Sequence, residues 1–317
     1  MMHSLSGRTI YISGSMAYDR IMDFPGKFSD YILPDKIHIL NVCFNVNGLT
    51  EKFGGTAGNV AYTLSLLKEM PVIMATIGKD YDSYFDWLKK HDISLEGIRT
   101  IDDEFTAGAY ITTDKSDNQI TGFNPGAMKY QAEYRLDEEN PGTAVVLIAP
   151  GNIKDMMSYA AVCRSKSIPY ICDPGQSLSL WDGNALREWI EGSMIFISND
   201  YELELVMTKT GIDKKGILRM TQTIITTLGE KGALISTHNS NERIPSAAVS
   251  QVLDPTGAGD AFRAGLLKGM VTGQDIETAT RMGAVAATFA IENYGTQEHT
   301  FTYEAFLERY RINFGEL

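Results

Sequence analysis

The fold is decided by one stretch, Asp254-Pro255-Thr256-Gly257-Ala258-Gly259-Asp260-Ala261-Phe262, which runs from a short apolar segment into a long helix. Gly257 and Gly259 carry no side chain, so a bulky anion can approach the main chain closely. The first backbone N–H groups of a helix lack internal partners, and the helix dipole adds partial positive charge there. This stretch therefore predicts a phosphate site at the start of a helix.

Asp260 needs an explanation of its own, because a carboxylate beside a phosphate site repels the phosphate. One explanation is catalytic: the carboxylate takes a proton from a hydroxyl group that attacks phosphorus. The other is structural, since an aspartate early in a helix also complements the helix dipole. The short Gly-x-Gly-Asp pattern alone does not decide between them.

Composition limits the classes of protein to be considered. The chain has 317 residues, 44% hydrophobic content and a formal net charge of −12, which argues against a nucleic-acid backbone or an anionic membrane as the partner. The longest apolar run, 144–149, is too short to span a bilayer, and residues 1–8 contain no apolar segment of a secretory signal. The three cysteines form no CxxC pair. We therefore expect a cytoplasmic protein without a zinc site.

Short apolar runs alternate with helical patterns along most of the chain, which indicates βαβ units around a mainly parallel sheet. The predicted strands are 9–13, 72–76, 145–149, 168–172, 194–198, 224–228 and 233–236. The predicted helices are 60–69, 81–91, 153–164, 184–190, 201–207, two long helices after Asp260 and Asp275, and 303–311. We expect one α/β domain over residues 1–317.

Two stretches differ from this pattern and predict a small β lid, inserted from about 20–53 and 104–128. In the first, apolar residues alternate from Ile37 to Val46, which indicates exposed or half-buried strands. In the second, 105–113 and 118–123 form a hairpin around a polar turn at 114–117.

Polar residues near two predicted strand ends are candidates for binding a small ligand. Asp19 follows the first strand, and ligands of open α/β sheets bind at such ends; a loop cap is the structural alternative. Gly54 and Gly55 let the chain pass close to a ligand. Asn59, in the first turn of the next helix, can bond sugar hydroxyls or act as an N-cap.

Four motifs in order resemble those of the ribokinase (PfkB) family of sugar and nucleoside kinases, and the resemblance covers nearly the whole chain. They are Gly54-Gly55 with Asn59, the NxxE motif from Asn199 to Glu202, the TxGxxG-like turn 227–232, and the stretch 254–262. The resemblance implies a three-layer α/β/α sandwich with a small lid, and ATP and Mg²⁺ as cofactors.

The resemblance also implies roles for individual residues. Asp260 is expected to be the general base, with the backbone of Gly257, Ala258 and Gly259 as the anion hole. Asn199, Thr227, Gly229 and Gly232 are expected at the nucleotide. Glu202 would hold Mg²⁺ through water, or alternatively complement its helix dipole. Asp254 and Thr256 fall where family members often bind a monovalent cation, here K⁺.

Three lid features resemble the bacterial adenosine kinase-like branch of the family: 37–44 running on into 53–55, 123–128, and 293–297. Phe44 and Phe123 are candidates for stacking on a purine, with lid packing as the alternative. Lys and Arg, expected for a sugar phosphate, are missing from 11–19 and 54–61.

The hypothesis from sequence is therefore an adenosine kinase that makes AMP, as in purine salvage. The alternatives are a kinase of free ribose or fructose, and a nucleoside sensor without catalysis. An oxidoreductase is not favoured, because GxGxxG is missing after the first strand. Exposed lid strands leave two options open, a homodimer through the lid or a lid that only folds over the site.

Overall fold

The computed structural model describes residues 5–116 and 118–317. Residues 1–4 and Asp117 lie outside this range. Half of the stretch 1–8, which was examined for a secretory signal, therefore lies outside the described residues. The last residue of the predicted turn 114–117 lies outside them as well.

Strands and helices alternate along most of the described chain. The strands are β1 Thr9–Ser13, β2 Ala17–Asp23, β3 Thr50–Gly54, β4 Val72–Gly78, β5 Ile98–Ile101, β6 Ala107–Thr113, β7 Gln119–Asn124, β8 Ala144–Ile148, β9 Tyr170–Cys172, β10 Ile195–Asn199, β11 Thr223–Thr227, β12 Ala233–Ser236 and β13 Asn241–Ile244. The α-helices are α1 Thr56–Leu66, α2 Asp82–Lys90, α3 Ile153–Lys166, α4 Gly183–Ile190, α5 Asp200–Thr210, α6 Lys214–Leu218, α7 Ala258–Val271, α8 Ile276–Ile291 and α9 Tyr303–Phe314.

The central sheet has the order β13-β12-β11-β10-β9-β8-β1-β4-β5. The seven neighbouring strands from β11 to β5 are parallel, and β12 runs antiparallel to β11 and β13. One apolar core lies between the sheet and α1, α7 and α8, and a second lies between the sheet and α3, α4 and α5. This confirms the predicted three-layer α/β/α sandwich with a mainly parallel sheet.

A second, smaller sheet has the order β3-β2-β6-β7 and is built from the two stretches that depart from the βαβ pattern. One face of it packs on the main body: the Tyr18 ring lies 5.6 Å from the Tyr84 ring of α2, and Arg20 pairs with Asp80. Because side chains alternate between faces of a strand, Asp19 points to the opposite face. We call this opposite face the ligand-side face of the small sheet.

The strands expected between Ile37 and Val46 are absent, and that prediction was wrong. Residues Pro34–Ile39 form a 3-10 helix, and residues 40–49 contain no strand. Pro34 occupies the first helical position, where its fixed φ and missing N–H are tolerated. The side chains of Ile37 and Ile39 are both exposed. Their alternation therefore does not reflect a sheet with one buried face.

Among the strands and α-helices of the described residues, five were not predicted individually: β5, β13, α6 and the two small-sheet strands β2 and β3. The first two are the edge strands of the large sheet and have four residues each. Edge strands are commonly short and polar, which hides them from an apolar-run criterion. Helix α1 also begins four residues earlier than predicted, at Thr56, so that Asn59 lies inside its first turn rather than at the N-cap.

Candidate active site

The start of α7 lies at the carboxyl edge of the large sheet. Gly257 is its N-cap with φ of +79°, a conformation that other residues rarely adopt. A Cβ at Gly257 would also lie 3.1 Å from the Thr296 side chain. The N–H of Ala258 donates to the carbonyl of Pro255 at 3.2 Å. The next two N–H groups, of Gly259 and Asp260, are the ones that the helix start offers to an anion.

Asp260 is half-buried in the first turn of α7 and contacts Asn59 of α1. Asn59 Nδ2 donates to Asp260 Oδ2 at 2.8 Å. Burial raises the pKa of Asp260 from its ordinary 3.8 to about 6, and the charges of Asp173 and Asp19 also raise it. The Asn59 hydrogen bond and the Arg263 guanidinium oppose this rise. A carboxylate with such a pKa is still ionised near neutral pH and is basic enough to accept a proton.

Asp19 lies in β2, not in a loop after β1 as its position in the sequence suggested. Burial raises its pKa, with a further contribution from the charge of Asp254. Gly54 faces it across the strand pair, where a Cβ would lie 2.7 Å from Asp19 Oδ2. Gly55 has φ of +88° and passes so close to Ser15 that a Cβ would lie 2.6 Å from its carbonyl oxygen. Both glycines therefore allow a close approach that a side chain would prevent.

The ligand-side face of the small sheet carries Asp19 and Phe123 in one row. Asp19 pairs with Ala109 of β6, and Ala109 pairs with Phe123 of β7. Two strand spacings, about 10 Å, separate the outer two residues, with a small methyl group between them. The Phe123 side chain is 54% exposed, so its ring is available to a ligand held by Asp19. Phe44 instead packs in an aromatic cluster with Phe24, at 4.8 Å between ring centroids, and Phe28.

A cleft of about 370 Å³ opens on the other side of the α7 start. Thr227, Gly229 and Gly232 line it, as does Gly259 of α7. The rest of its wall is mostly apolar, with Ala247, Val249, Val252, Ala284, Ala287 and Ile291 among the lining residues. Gly232 has φ of +83°, and a Cβ there would lie 2.0 Å from the carbonyl oxygen of Ile244. Such a cleft fits a flat heterocycle whose phosphates point to α7.

Asn199 and Glu202 lie outside this lining and form a capping box at the start of α5. Glu202 N–H donates to Asn199 Oδ1 at 2.7 Å, and Asn199 N–H donates to Glu202 Oε2 at 2.8 Å. Burial raises the pKa of Glu202, and the charge of Asp173 raises it further. The capping box uses one carboxylate oxygen of Glu202 and leaves the other for a further interaction.

Asp254 links two loops at the site. Its Oδ1 accepts the N–H of Thr256 at 2.9 Å, and its Oδ2 accepts the N–H of Gly295 at 3.0 Å. These hydrogen bonds lower the pKa of Asp254 and keep it charged. Thr256 itself is exposed.

Sequence reasoning missed a buried ion pair beneath the α7 start. Arg263 forms a bidentate contact with Asp173, with one donor-acceptor distance of 2.8 Å between Nη2 and Oδ1. Its Nη1 also donates to the carbonyl of Gly259 at 2.9 Å. The signal was present, because Arg263 follows Asp260 by three residues on one helix face and Asp173 directly follows β9. Gln297 was also missed as a site residue, although its segment 293–297 had been singled out.

The fold and this site define a class of protein: an α/β protein in which a glycine-rich helix start lies between a mostly apolar cleft and an Asp-Asn pair. Residues 28–302 match the pfkB family carbohydrate kinase. The chain is 32% identical to the nucleoside kinase of Methanocaldococcus jannaschii over 283 residues, which cover 88% of this chain and 93% of that protein.

Two solved structures of the Burkholderia thailandensis nucleoside kinase are similar over nearly their full length. The complex with inosine has 38% identity and a TM-score of 0.85, and it covers 97% of this chain and 98% of that one. The complex with ADP-inosine has 39% identity and a TM-score of 0.83, with 97% and 96% covered. The chain therefore belongs to the pfkB family of carbohydrate kinases, and it is a phosphotransferase that acts on a hydroxyl group.

Within residues 5–116 and 118–317, every helix is too short or too polar to cross a membrane.

Proposed function

We propose that this protein is an ATP-dependent nucleoside kinase that phosphorylates the 5′-hydroxyl of adenosine and yields AMP. The observation that carries the proposal is the joint position of Asp260, Asn59 and Asp19 beside the start of α7. One side of this group is the ligand-side face of the small sheet, and the other is the mostly apolar cleft. A phosphoryl donor and a hydroxyl acceptor can therefore approach Asp260 from opposite sides.

The acceptor is proposed to lie against the small sheet. Asp19 would accept hydrogen bonds from the ribose hydroxyls, and Gly54 and Gly55 would let the ribose approach the main chain. Phe123 would stack on the purine, worth about 0.5–1.5 kcal/mol beyond area burial. The inosine and ADP-inosine complexes of the similar nucleoside kinase support a nucleoside in such a site.

The reaction is a phosphoryl transfer with one base. A carboxylate oxygen of Asp260 takes the proton of the 5′-hydroxyl, and the hydroxyl oxygen forms a bond to the γ-phosphorus. The bond from that phosphorus to the β–γ bridging oxygen breaks, and its electron pair leaves with ADP. The N–H groups of Gly259 and Asp260 stabilise charge on the transferred group, because they are already oriented before the reaction. Asp260 then returns its proton to solvent.

Mg²⁺ is proposed to accompany ATP, held through water by Glu202. The residue fits this role because its carboxylate is half-buried, has one oxygen left by the capping box, and lies near enough to Asp173 and Arg263 for their charges to act on its pKa. Bound Mg²⁺ supplies charge neutralisation at the phosphates. Asn199 then acts on the nucleotide only indirectly, by fixing Glu202.

A monovalent cation near Asp254 and Thr256 is a further part of the proposal. Asp254 is charged and ties the segment before α7 to the loop at Gly295. A cation there would order the anion hole. Turnover in potassium chloride should then exceed turnover at the same concentration of tetramethylammonium chloride, and equal rates would contradict a K⁺ requirement.

A homodimer formed through the lid is also proposed. The long segment between β2 and β3 exposes Leu33, Ile37, Ile39 and Leu49. A second copy packed on the small sheet would cover them, as would closure of this segment over bound nucleoside. Light scattering after size exclusion, with and without adenosine and a non-hydrolysable ATP analogue, distinguishes a dimer from closure.

The decisive experiment is a substrate panel assayed with Mg·ATP. We expect ADP production that depends on adenosine, with inosine and guanosine as the nearest competitors and free ribose and fructose much slower. Faster turnover of ribose or fructose would replace the nucleoside assignment by the sugar-kinase alternative. Nucleoside binding without ADP production would favour a sensor.

A further inference from the structure

The hydrogen bond between Asn59 and Asp260 continues into the protein through Gln297. Gln297 Nε2 donates to Asn59 Oδ1 at 3.0 Å and to the Tyr84 hydroxyl at 2.8 Å. Its Oε1 accepts the indole N–H of Trp87 at 2.9 Å. Gln297 is 2% exposed, and Asn59 is 5% exposed. A row of side chains thus leads from Trp87 in α2 to Gln297 in the loop after α8, and then through Asn59 in α1 to Asp260 in α7.

The chemistry of the groups fixes the direction of every hydrogen bond in this row. An indole N–H is only a donor, so the Gln297 oxygen must face Trp87. The Gln297 amide nitrogen must then face Asn59, whose oxygen is the only atom of its amide that accepts. The Asn59 nitrogen is therefore turned toward Asp260. Without Trp87 and Gln297, only Asp260 would orient the Asn59 amide, and once Asp260 is protonated the amide could rotate by half a turn and accept from the carboxyl group.

We propose that Gln297 is a positioning residue for phosphoryl transfer, which holds the Asn59 amide so that its nitrogen always donates to Asp260. This inference rests on the proposed function, in which Asp260 is the base. Trp87 is the anchor of the row. The consequence is that one Asp260 oxygen is held by Asn59 while the other is left for the substrate hydroxyl.

Tyr84 gives the row a second attachment at the acceptor side. Its hydroxyl accepts from Gln297 and donates to the carbonyl of Gly54 at 2.7 Å. A Cβ at Gly58 would lie 2.0 Å from this hydroxyl, so that the close approach depends on glycine at that position. The same glutamine thus connects the base to the glycine turn against which the acceptor is proposed to lie.

Two variants test the proposal. Gln297→Glu replaces the donor by a second acceptor, so that the Asn59 oxygen loses its partner and the carboxylates of Glu and Asp260 compete for the Asn59 nitrogen. Trp87 stacks on Phe53, at 5.1 Å between ring centroids. Trp87→Phe keeps an aromatic ring at this position but removes the N–H that orients Gln297. Glu298→Gln is the matched control, because Glu298 is an exposed neighbour outside the row.

We expect Gln297→Glu to lower kcat at least ~10-fold and Trp87→Phe about threefold, since small displacements of a catalytic group reduce rates by up to ~100-fold. KM for ATP should stay within about twofold in both, because the row does not reach the ATP cleft. Glu298→Gln should match the wild type.

A second readout does not need turnover. Loss of a hydrogen bond to the charged form raises the pKa of a carboxylate, so the pKa of Asp260 should rise in both variants. Carbon NMR titration of the Asp260 carboxyl group measures it directly. The charged or titratable groups Asp19, Asp173, Arg263 and Tyr84 also act on Asp260 and are unchanged in both variants. The new carboxylate of Gln297→Glu raises the pKa by its own charge as well, so the shift in Trp87→Phe is the one that reports the hydrogen bond.

Wild-type kcat together with a wild-type pKa of Asp260 in both variants would overturn the proposal. Where the buried glutamate of Gln297→Glu prevents folding, Trp87→Phe decides alone. A wild-type protein without turnover on any nucleoside would refute the proposed function, while the NMR titration would still test the orientation of Asn59.

Discussion

At the scale of single residues, the proposed proton transfer depends on the basicity of Asp260. Its pKa is raised by burial to about 6, so the ionised base accumulates as the pH rises through that value. We expect kcat/KM, which reports the groups of the free enzyme, to fall on the acid side with an apparent pKa near 6 and to be level above it. An acid limb centred near the ordinary value of an aspartate would contradict the assignment.

The same pKa makes a prediction about stability. The folded-state pKa of Asp260 lies above its ordinary 3.8, so its contribution to stability is present at low pH and is lost as the pH rises through about 6. Asp260→Asn removes the ionisable group, and with it the loss of stability at higher pH. In mildly alkaline buffer the variant should be more stable than the wild type by about 1–3 kcal/mol, with the lower end favoured because the group is only half-buried. Urea unfolding measures the difference, and a less stable variant would be the opposite result.

Asp19 is expected to act on the acceptor rather than on the donor. Asp19→Asn keeps the shape but weakens hydrogen bonds from the ribose hydroxyls to a charged group, each worth about 1.5–3 kcal/mol. KM for adenosine should rise at least ~10-fold, while KM for ATP should change less than about twofold. Steady-state kinetics with each substrate varied in turn separate these effects. An equal change in both constants would place Asp19 elsewhere in the mechanism.

At the scale of elements, the turn between β11 and β12 shapes the proposed nucleotide cleft. Gly232→Ala would combine strain at φ of +83° with a Cβ 2.0 Å from the carbonyl of Ile244. Gly229→Ala is the matched control, because that glycine also has positive φ but has open space around its Cβ position. We expect Gly232→Ala to destabilise the protein by more than ~2 kcal/mol and Gly229→Ala by about 1 kcal/mol. Thermal unfolding would contradict this account if the two variants melted together.

The elements also show what the sequence could and could not predict. Strands such as β1 and β12 were predicted with their observed bounds, because each is a short, mostly buried apolar run. The prediction for the segment from Ile37 to Val46 was wrong, because Ile37 and Ile39 are exposed, Phe44 packs in an aromatic cluster, and the alternation reflects no sheet pairing. The edge strands β5 and β13 were missed because they are short.

For the candidate site, the motifs predicted residues that lie close together in the structure, but they did not predict the contacts between these residues. Asn59 and Asp260 are 201 positions apart, and their hydrogen bond follows only from the packing of α1 beside α7. Arg263 and Asp173 each had a positional signal, three residues after Asp260 and directly after β9, but nothing in the sequence showed that the two pair with each other. Gln297 acts through the direction of hydrogen bonds, which depends on the indole of Trp87 in a third segment.

At the scale of the whole molecule, the small sheet and the three-layer body form two sides of one site. Phe123 is exposed on the ligand-side face, in the same row of side chains as Asp19 and two strands away from it. Phe123→Ala should raise KM for adenosine about 5–10-fold, as expected for loss of a stacking contact and its buried area. Phe105→Ala, at an exposed aromatic residue just before β6, is the control. Unchanged KM for Phe123→Ala would place the purine away from this face.

The most direct test of the central claim is the turnover of Asp260→Asn, measured as adenosine-dependent ADP production in mildly alkaline buffer. We expect kcat to fall at least ~100-fold, which is the typical scale of general-base catalysis, while ATP binding and folding are retained. A folded Asp260→Asn protein whose turnover stays within about threefold of the wild type, far inside that scale, would contradict it.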